Sequence, residues 1–391
     1  MRRLVYYELR KHFLTPIMVS IFLFLLMADA LKIYSVYQEA SLFSSSNLAE
    51  FKEAYEELYP VYGGEITVEK INSLLEIYRP IYETVQSQTA STKEDENSYT
   101  YNVYSDELFF RKCFLEEMEY DYTYRSYAAE IVSEARENMD FYKEWGNRYE
   151  YRKNFYIARA FYGREIKDFY NTEMYQSLLY YDFSSILMLM LMVYGCASVF
   201  VKEEETEMKY IIRTSQNGRG RTYLAKIFSA SLFLIVAGVL FSLWDYCLFS
   251  LFFGGTESAA SPLYAIRGFQ DTILTLSMGQ GYLLLSVFRM TGMCMFCMIF
   301  LFFSLAARRI MAAFLLNFVS IMVCVSAYDY IYNSSHLWNP VSFISGRNLI
   351  LRSEFGNLAG YPVPMYMIAE GVAVFLILGF AYAGWMLWKR R

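Results

Sequence analysis

Two histidines and six cysteines are few for a chain of 391 residues. His12 and His336 fall on opposite faces of the membrane in the topology derived below, so no two-histidine metal or acid–base site is expected. Five of the six cysteines sit in apolar runs. Cys294-x-x-Cys297 has the spacing of a redox pair, but a thiol inside such a run behaves as a small hydrophobe. Cys113 stands alone outside the runs and has no disulfide partner there. No Gly-x-x-x-x-Gly-Lys-Ser/Thr stretch occurs, so this chain lacks a phosphate loop. Nothing resembles a nucleophile elbow or a zinc-protease helix. Tandem acids such as Glu116-Glu117 point apart on a helix. Non-catalytic behaviour is the expectation, with no metal site. A net charge of −5 offers no basic surface for nucleic acid.

What the chain does have is apolar length. Hydrophobic residues make up 55% and charged residues only 19%, against about 25% charged in soluble domains. The excess gathers in six runs of about 20 residues, the length that crosses a bilayer as a helix. They cover 14–34, 183–201, 227–253, 282–306, 310–331 and 366–388. Outer-membrane strands would alternate over only about 9–11 residues. Arg2, Arg3, Arg10 and Lys11 precede the first run, and Lys202 to Lys226 separate the second and third. Arg308 and Arg309 separate the fourth and fifth, and Lys389, Arg390 and Arg391 follow the last. These flanks alternate correctly when both termini are cytoplasmic. Residues 1–13 read as an amphipathic helix along the membrane, with Leu4, Val5, Leu9 and Phe13 on one side. The basic start and Ala28-Asp29-Ala30 also fit a cleaved signal, but that organised amphipathic stretch favours a retained first span.

Residues 35–182 form one long extracytoplasmic segment with 28 acidic and 15 basic residues and 22 of the 37 tyrosines. The remainder is net basic, which suits a cytoplasmic face near anionic lipid. Periodicity predicts helices over Ala49–Tyr59, Thr67–Gln88, Asp106–Trp145 and Asn147–Tyr181, with Thr67 as an N-cap and a polar break at 89–100. The tyrosines read first as packing for a thin helical domain and second as a recognition surface. The fold class is therefore an all-α polytopic membrane protein: six spans, an N-terminal elbow helix and a helical domain inserted between spans 1 and 2. The segments 254–281 and 332–365 are outer loops, the second a candidate for dipping back into the membrane.

The loop at 202–226 is the most informative stretch. A short helix is expected from Glu203 to Arg213, acidic at its start and basic at its end, followed by an Asn217-Gly218 turn. Glu203, Glu204, Thr214, Ser215, Gly218, Arg219, Leu224, Ala225 and Lys226 follow a pattern that resembles the corresponding loop of ABC-2 type permeases. Their pattern has an acidic pair, a short helix, Thr/Ser, Gly-Arg and Leu-Ala-Lys entering a span. Where that family often has Gly before the Met of the helix, this chain has Glu207. The six-span plan, elbow helix and large outer insertion resemble one branch of the family.

That resemblance implies a permease subunit of a bacterial cytoplasmic-membrane ABC exporter. The 203–221 segment would act as a coupling helix against a separate ATP-binding subunit, which would hold the ATP and Mg²⁺, and a second permease copy or a related permease would complete the pair. Amphiphiles such as antimicrobial peptides, lipids or hydrophobic drugs are the expected cargo, since an acidic, Tyr-rich outer domain suits a cationic partner. The rival reading is a membrane sensor or mechanotransmitter whose outer domain signals inward. An ATP-independent channel lacks a polar stripe along its spans.

Ionisable residues inside spans are functional candidates by default. Asp245 and Arg289 lie at similar depth on consecutive antiparallel spans, about 10–12 Å below the outer surface at 1.5 Å per residue. An ion pair between them is expected, either neutralising two costly charges or forming an outer gate. Asp29, Asp329 and Glu370 sit nearer span ends, where headgroups or water are in reach.

Overall fold

The computed structural model describes residues 1–43, 48–91, 98–214, 220–330, 337–351 and 353–390. It is mostly helical, and among the described residues six helices are long and apolar enough to cross a membrane, the character of a multi-pass membrane protein. An amphipathic helix, α1 (Arg2–His12), leads into span 1, α2 (Pro16–Ala40). The insertion follows as α3 (Lys52–Tyr62), β1 (Gly64–Glu65), α4 (Val68–Ser91), α5 (Ser98–Phe110), α6 (Glu116–Glu144), α7 (Arg148–Phe161), β2 (Asp168–Phe169) and α8 (Glu173–Tyr180). Span 2 is α9 (Phe183–Glu205); α10 (Lys209–Thr214) is the short helix after it, and span 3 is α11 (Gly220–Phe253). Spans 4 and 5 are α12 (Met278–Ala306) and α13 (Ile310–Tyr330). Two short helices, α14 (Pro340–Ile344) and α15 (Asn348–Leu351), and the hairpin β3 (Phe355–Leu358)–β4 (Tyr361–Pro364) precede span 6, α16 (Met365–Arg390).

Local chemistry sets several boundaries. Pro16 opens α2, and Met18 N donates to the Thr15 hydroxyl at 3.3 Å, because proline needs no hydrogen bond at that position. Ser277 and Gln280 close a reciprocal capping box on α12. Lys70 N donates to Thr67 Oγ1 at 3.3 Å, the cap expected there. The helix expected over Asn147–Tyr181 is broken instead. Gly163 takes a left-handed φ of 71°, and the chain then pairs β2 with β1 before α8 begins. The expected Asp106–Trp145 helix is interrupted by a π-helical turn at Arg111–Leu115, which places Cys113 and Phe114 in the core.

Span 2 is the central helix: 78% of its apolar window is buried, against 11% for span 5 and 17% for span 6. The outward faces of spans 5 and 6 are left for lipid or another chain. One core joins Phe13, Phe200, Tyr223 and Trp388, at the end of the bundle carrying both chain termini, with Phe296, Leu25 and Leu187 farther along the spans. A second core, at the other end, runs from the spans into the insertion through Tyr124, Phe161, Tyr175, Phe249, Phe269 and Met278. A third, around Leu74, Phe109 and Phe114, lies within the insertion alone. The membrane-proximal half of the insertion is thus packed as part of the span bundle.

Segment 337–351 also returns toward the bundle. Gly292, at the midpoint of α12, lies so close to α14 that a Cβ there would meet the Pro340 carbonyl oxygen at 2.8 Å. Asn339 Nδ2 donates to the Cys324 carbonyl of span 5 at 2.8 Å.

Candidate functional site

The terminal-face end of the bundle holds an ionic cluster built from three helices. Lys226 is fully buried. Its ammonium lies 2.8 Å from Glu203 Oε1 and 3.1 Å from Glu8 Oε2, and it donates to the Val199 carbonyl. Lys11 reaches Glu203 Oε1 at 3.3 Å. His12 lies 3.5 Å from Glu8 Oε2 through Nε2, with Nδ1 3.0 Å from Ser198 Oγ. Burial pushes the Glu8 carboxyl upward, but the His12 hydrogen bond and the charges of Lys226 and Lys11 outweigh it and bring it to about 2. Burial, reinforced by those same lysines, lowers His12 despite Glu8. At neutral pH the Glu8 carboxyl is therefore ionised and the His12 imidazole beside it neutral.

Two of the residues in the 203–226 pattern, Glu203 and Lys226, are brought together here, in the interior and not on a surface. Glu205 takes a separate role: its Oε1 accepts from Ile310 N at 2.9 Å and caps span 5. Glu204 is half-buried. The short helix expected over Glu203–Arg213 is split. Glu203 to Glu205 complete span 2, a turn follows, and α10 is an independent segment. At that turn Glu207 has φ 57°, the left-handed conformation that favours glycine. Thr214 is exposed, with its hydroxyl donating to the Ile211 carbonyl at 3.0 Å. Ser215, Gly218 and Arg219 lie outside the described residues. Of the matching positions entering span 3, Ala225 is buried and Leu224 exposed.

The loop is thus anchored by Glu203–Lys226, Glu8–Lys226 and Glu205–Ile310. Beyond these anchors Met208, Tyr210 and Ile211 are 47%, 60% and 65% exposed, three large uncovered side chains on and beside α10. Reading α1 for its apolar residues alone misses Glu8 and His12. The signal for them is an acid and a histidine at i, i+4 beside Leu9 on the apolar side of an amphipathic helix.

A second cluster lies at the insertion end of the spans, and here the expected Asp245–Arg289 ion pair is corrected. Arg289 Nη2 lies 2.8 Å from Asp182 Oδ1 and donates to the Tyr181 carbonyl. Arg347 approaches the other Asp182 oxygen at 3.4 Å. Asp245 is buried instead, and its Oδ1 has no hydrogen-bond partner among the described residues. Asp29, expected at the headgroups, is fully buried and accepts from the Tyr181 hydroxyl at 2.7 Å. Helix rise puts Asp245 and Arg289 at one level, and both do line a cavity of about 20 Å³ with Ser184, Ser242 and Ser286. What helix rise leaves out is Asp182, which stands at the N-cap of span 2 and reaches the guanidinium first. Glu370 accepts from the Thr291 hydroxyl at 3.2 Å; the Asp329 side chain lies outside the described residues.

Compared with known proteins, the chain matches no protein-family model and no curated protein sequence.

Proposed function

We propose that this chain is the permease subunit of an ABC exporter in a bacterial cytoplasmic membrane, with both termini cytoplasmic. The observation that carries the reading is the 203–226 segment: charged anchors hold both of its ends inside the bundle, while Met208, Tyr210 and Ile211 project from it. A segment that must transmit force from a partner to the spans needs a rigid root and an exposed contact, and this one has both. Glu207 supports the same reading, because the position that permeases of this class often fill with glycine has left-handed backbone here. In this account ATP and Mg²⁺ reside on a separate ATP-binding subunit docked over α10. ATP-driven closure of two such subunits, one beneath each copy of a permease pair, pushes the 203–221 segment and tilts α9 and α11 through the Lys226 cluster, and α9, as the central helix, carries the motion across the membrane. The cargo is an amphiphile.

A sensor or mechanotransmitter is a second reading on one observation: the insertion and the spans share a continuous core, so a ligand on the insertion would be felt by the spans. Purification of tagged protein from its native host separates the two. The exporter reading expects a co-purifying ATPase that is lost when Glu204 and Arg219 are both changed to Ala, and cargo movement in proportion to turnover. A preparation without any nucleotide-binding partner would reject it and favour the sensor.

A further inference from the structure

The turn between α6 and α7 carries aromatic residues that the fold leaves uncovered. Trp145 is 75% exposed and Phe141 50%. Their rings stack at 5.4 Å, and Tyr142 lies edge-on to Phe141 at 5.2 Å. Gly146, with φ 69°, makes the turn, and the Asn147 side chain accepts from Glu150 N at 3.2 Å to start α7. The aromatic group is therefore held on an ordered helical hairpin and presented outward.

The height of this turn follows from two attachments of α7. Three residues past one end of the helix, Arg164 Nη1 donates to the Thr272 carbonyl at 2.7 Å, in the connection that enters span 4 at Met278. At the other, Tyr149 donates to the Phe355 carbonyl at 3.2 Å. Phe355 pairs with Pro364, the residue before span 6, and Met365 N donates to the Glu354 carbonyl at 3.0 Å. The helical stretch between them, residues 149–161, is about 18 Å long at 1.5 Å per residue; one attachment lies at the base of span 6 and the other in the connection leading into span 4. Along α6, Tyr120, Tyr124 and Tyr127 bond to Tyr264, Gln270 and Asp271 of the same span 3–4 connection. The hairpin thus lies along the span ends, and its turn, a few residues beyond Tyr149, overhangs beside span 6 at that level.

Indole and phenol rings are favoured where water gives way to hydrocarbon, because each has an apolar body and a polar edge. We infer that Phe141, Tyr142 and Trp145 seat in the headgroup region of the bilayer leaflet on the insertion's side and anchor the insertion to lipid. The occupant is lipid because the turn stands at the level of the span ends and span 6, the nearest span, is itself left mostly uncovered. The inference needs only that the six helices cross a bilayer and is independent of any ATPase partner.

The test uses the full chain in phosphatidylcholine nanodiscs whose acyl chains carry bromine close to the headgroup. The fluorescence of Trp145 is the difference between the unmodified protein and Trp145→Phe, a conservative change at an exposed position. The expected result is a blue-shifted Trp145 emission that loses most of its intensity in brominated discs. Emission at the wavelength of an indole in water, unchanged by bromine, would overturn the inference. So would blue-shifted emission that bromine leaves intact, since that places protein, such as a second copy of the chain, over the turn.

Discussion

At Lys226 a buried ammonium stands between two carboxylates supplied by different helices, and its removal would leave Glu8 without a lysine in contact and Glu203 with only the partly exposed Lys11. Breaking such an arrangement costs about 3–5 kcal/mol, whereas neutralising all its members together costs far less. Lys226→Met is therefore expected to lower thermal stability sharply, and Lys226→Met combined with Glu8→Gln and Glu203→Gln to recover most of the loss, as read by thermal unfolding in detergent. Asp121 offers a residue-level test with a definite pH sign. Burial, then the charge of Glu117, raises its carboxyl to about 8, with Arg267 partly offsetting them. The native state keeps a proton that the unfolded chain releases near the ordinary value of 3.8. Stability from this group is thus full below that value and falls as pH rises toward 8. Hydrogen exchange in α6 should speed up from pH 5 to pH 8.5 beyond the intrinsic rise, and Asp121→Asn should abolish that excess. Lys226 and Glu203 are legible as members of a sequence pattern, but their burial is not, because a basic residue ahead of a span reads as a membrane-surface flank. Asp182 is hidden for a related reason: it stands one residue before an apolar run and reads as part of the polar insertion.

Among the elements, the spans are the most legible, since about 20 apolar residues must satisfy their own backbone in a bilayer. The short elements are less so. The Glu203–Arg213 stretch reads as one helix by composition, yet Glu207 interrupts it in a conformation that costs an L-residue about 1–2 kcal/mol. Glu207→Gly should relieve part of that strain and slow proteolysis of the 206–214 segment, whereas faster cleavage would show that the Glu207 side chain holds the turn. The packing of α14 on span 4 is likewise illegible, because it depends on one missing Cβ. Gly292→Ala pushes against the Pro340 carbonyl and Phe343 and should destabilise by about 1–3 kcal/mol. Raised hydrogen exchange confined to 337–351 would identify α14 as the element displaced.

For the whole molecule, the separation of charge is legible from composition alone: an acidic, tyrosine-rich insertion and a basic remainder. The continuity of the insertion with the spans is not. It depends on tyrosines of α6 bonding to backbone carbonyls of the span 3–4 connection, pairings 144 and 146 residues apart in sequence. In the proposed coupling, that continuity completes the path from α10, through the Lys226 cluster and central α9, to the insertion. The central claim is that force enters at α10 from an ATP-binding subunit. The most direct measurement is to place a photocrosslinking amino acid at Ile211 in native cells and identify what it captures, with a second probe at Trp145 as a control on the opposite face. The account predicts an ATP-binding subunit of an ABC transporter captured from position 211 and not from 145. Capture from 211 of only a signalling protein, or of nothing, would contradict it.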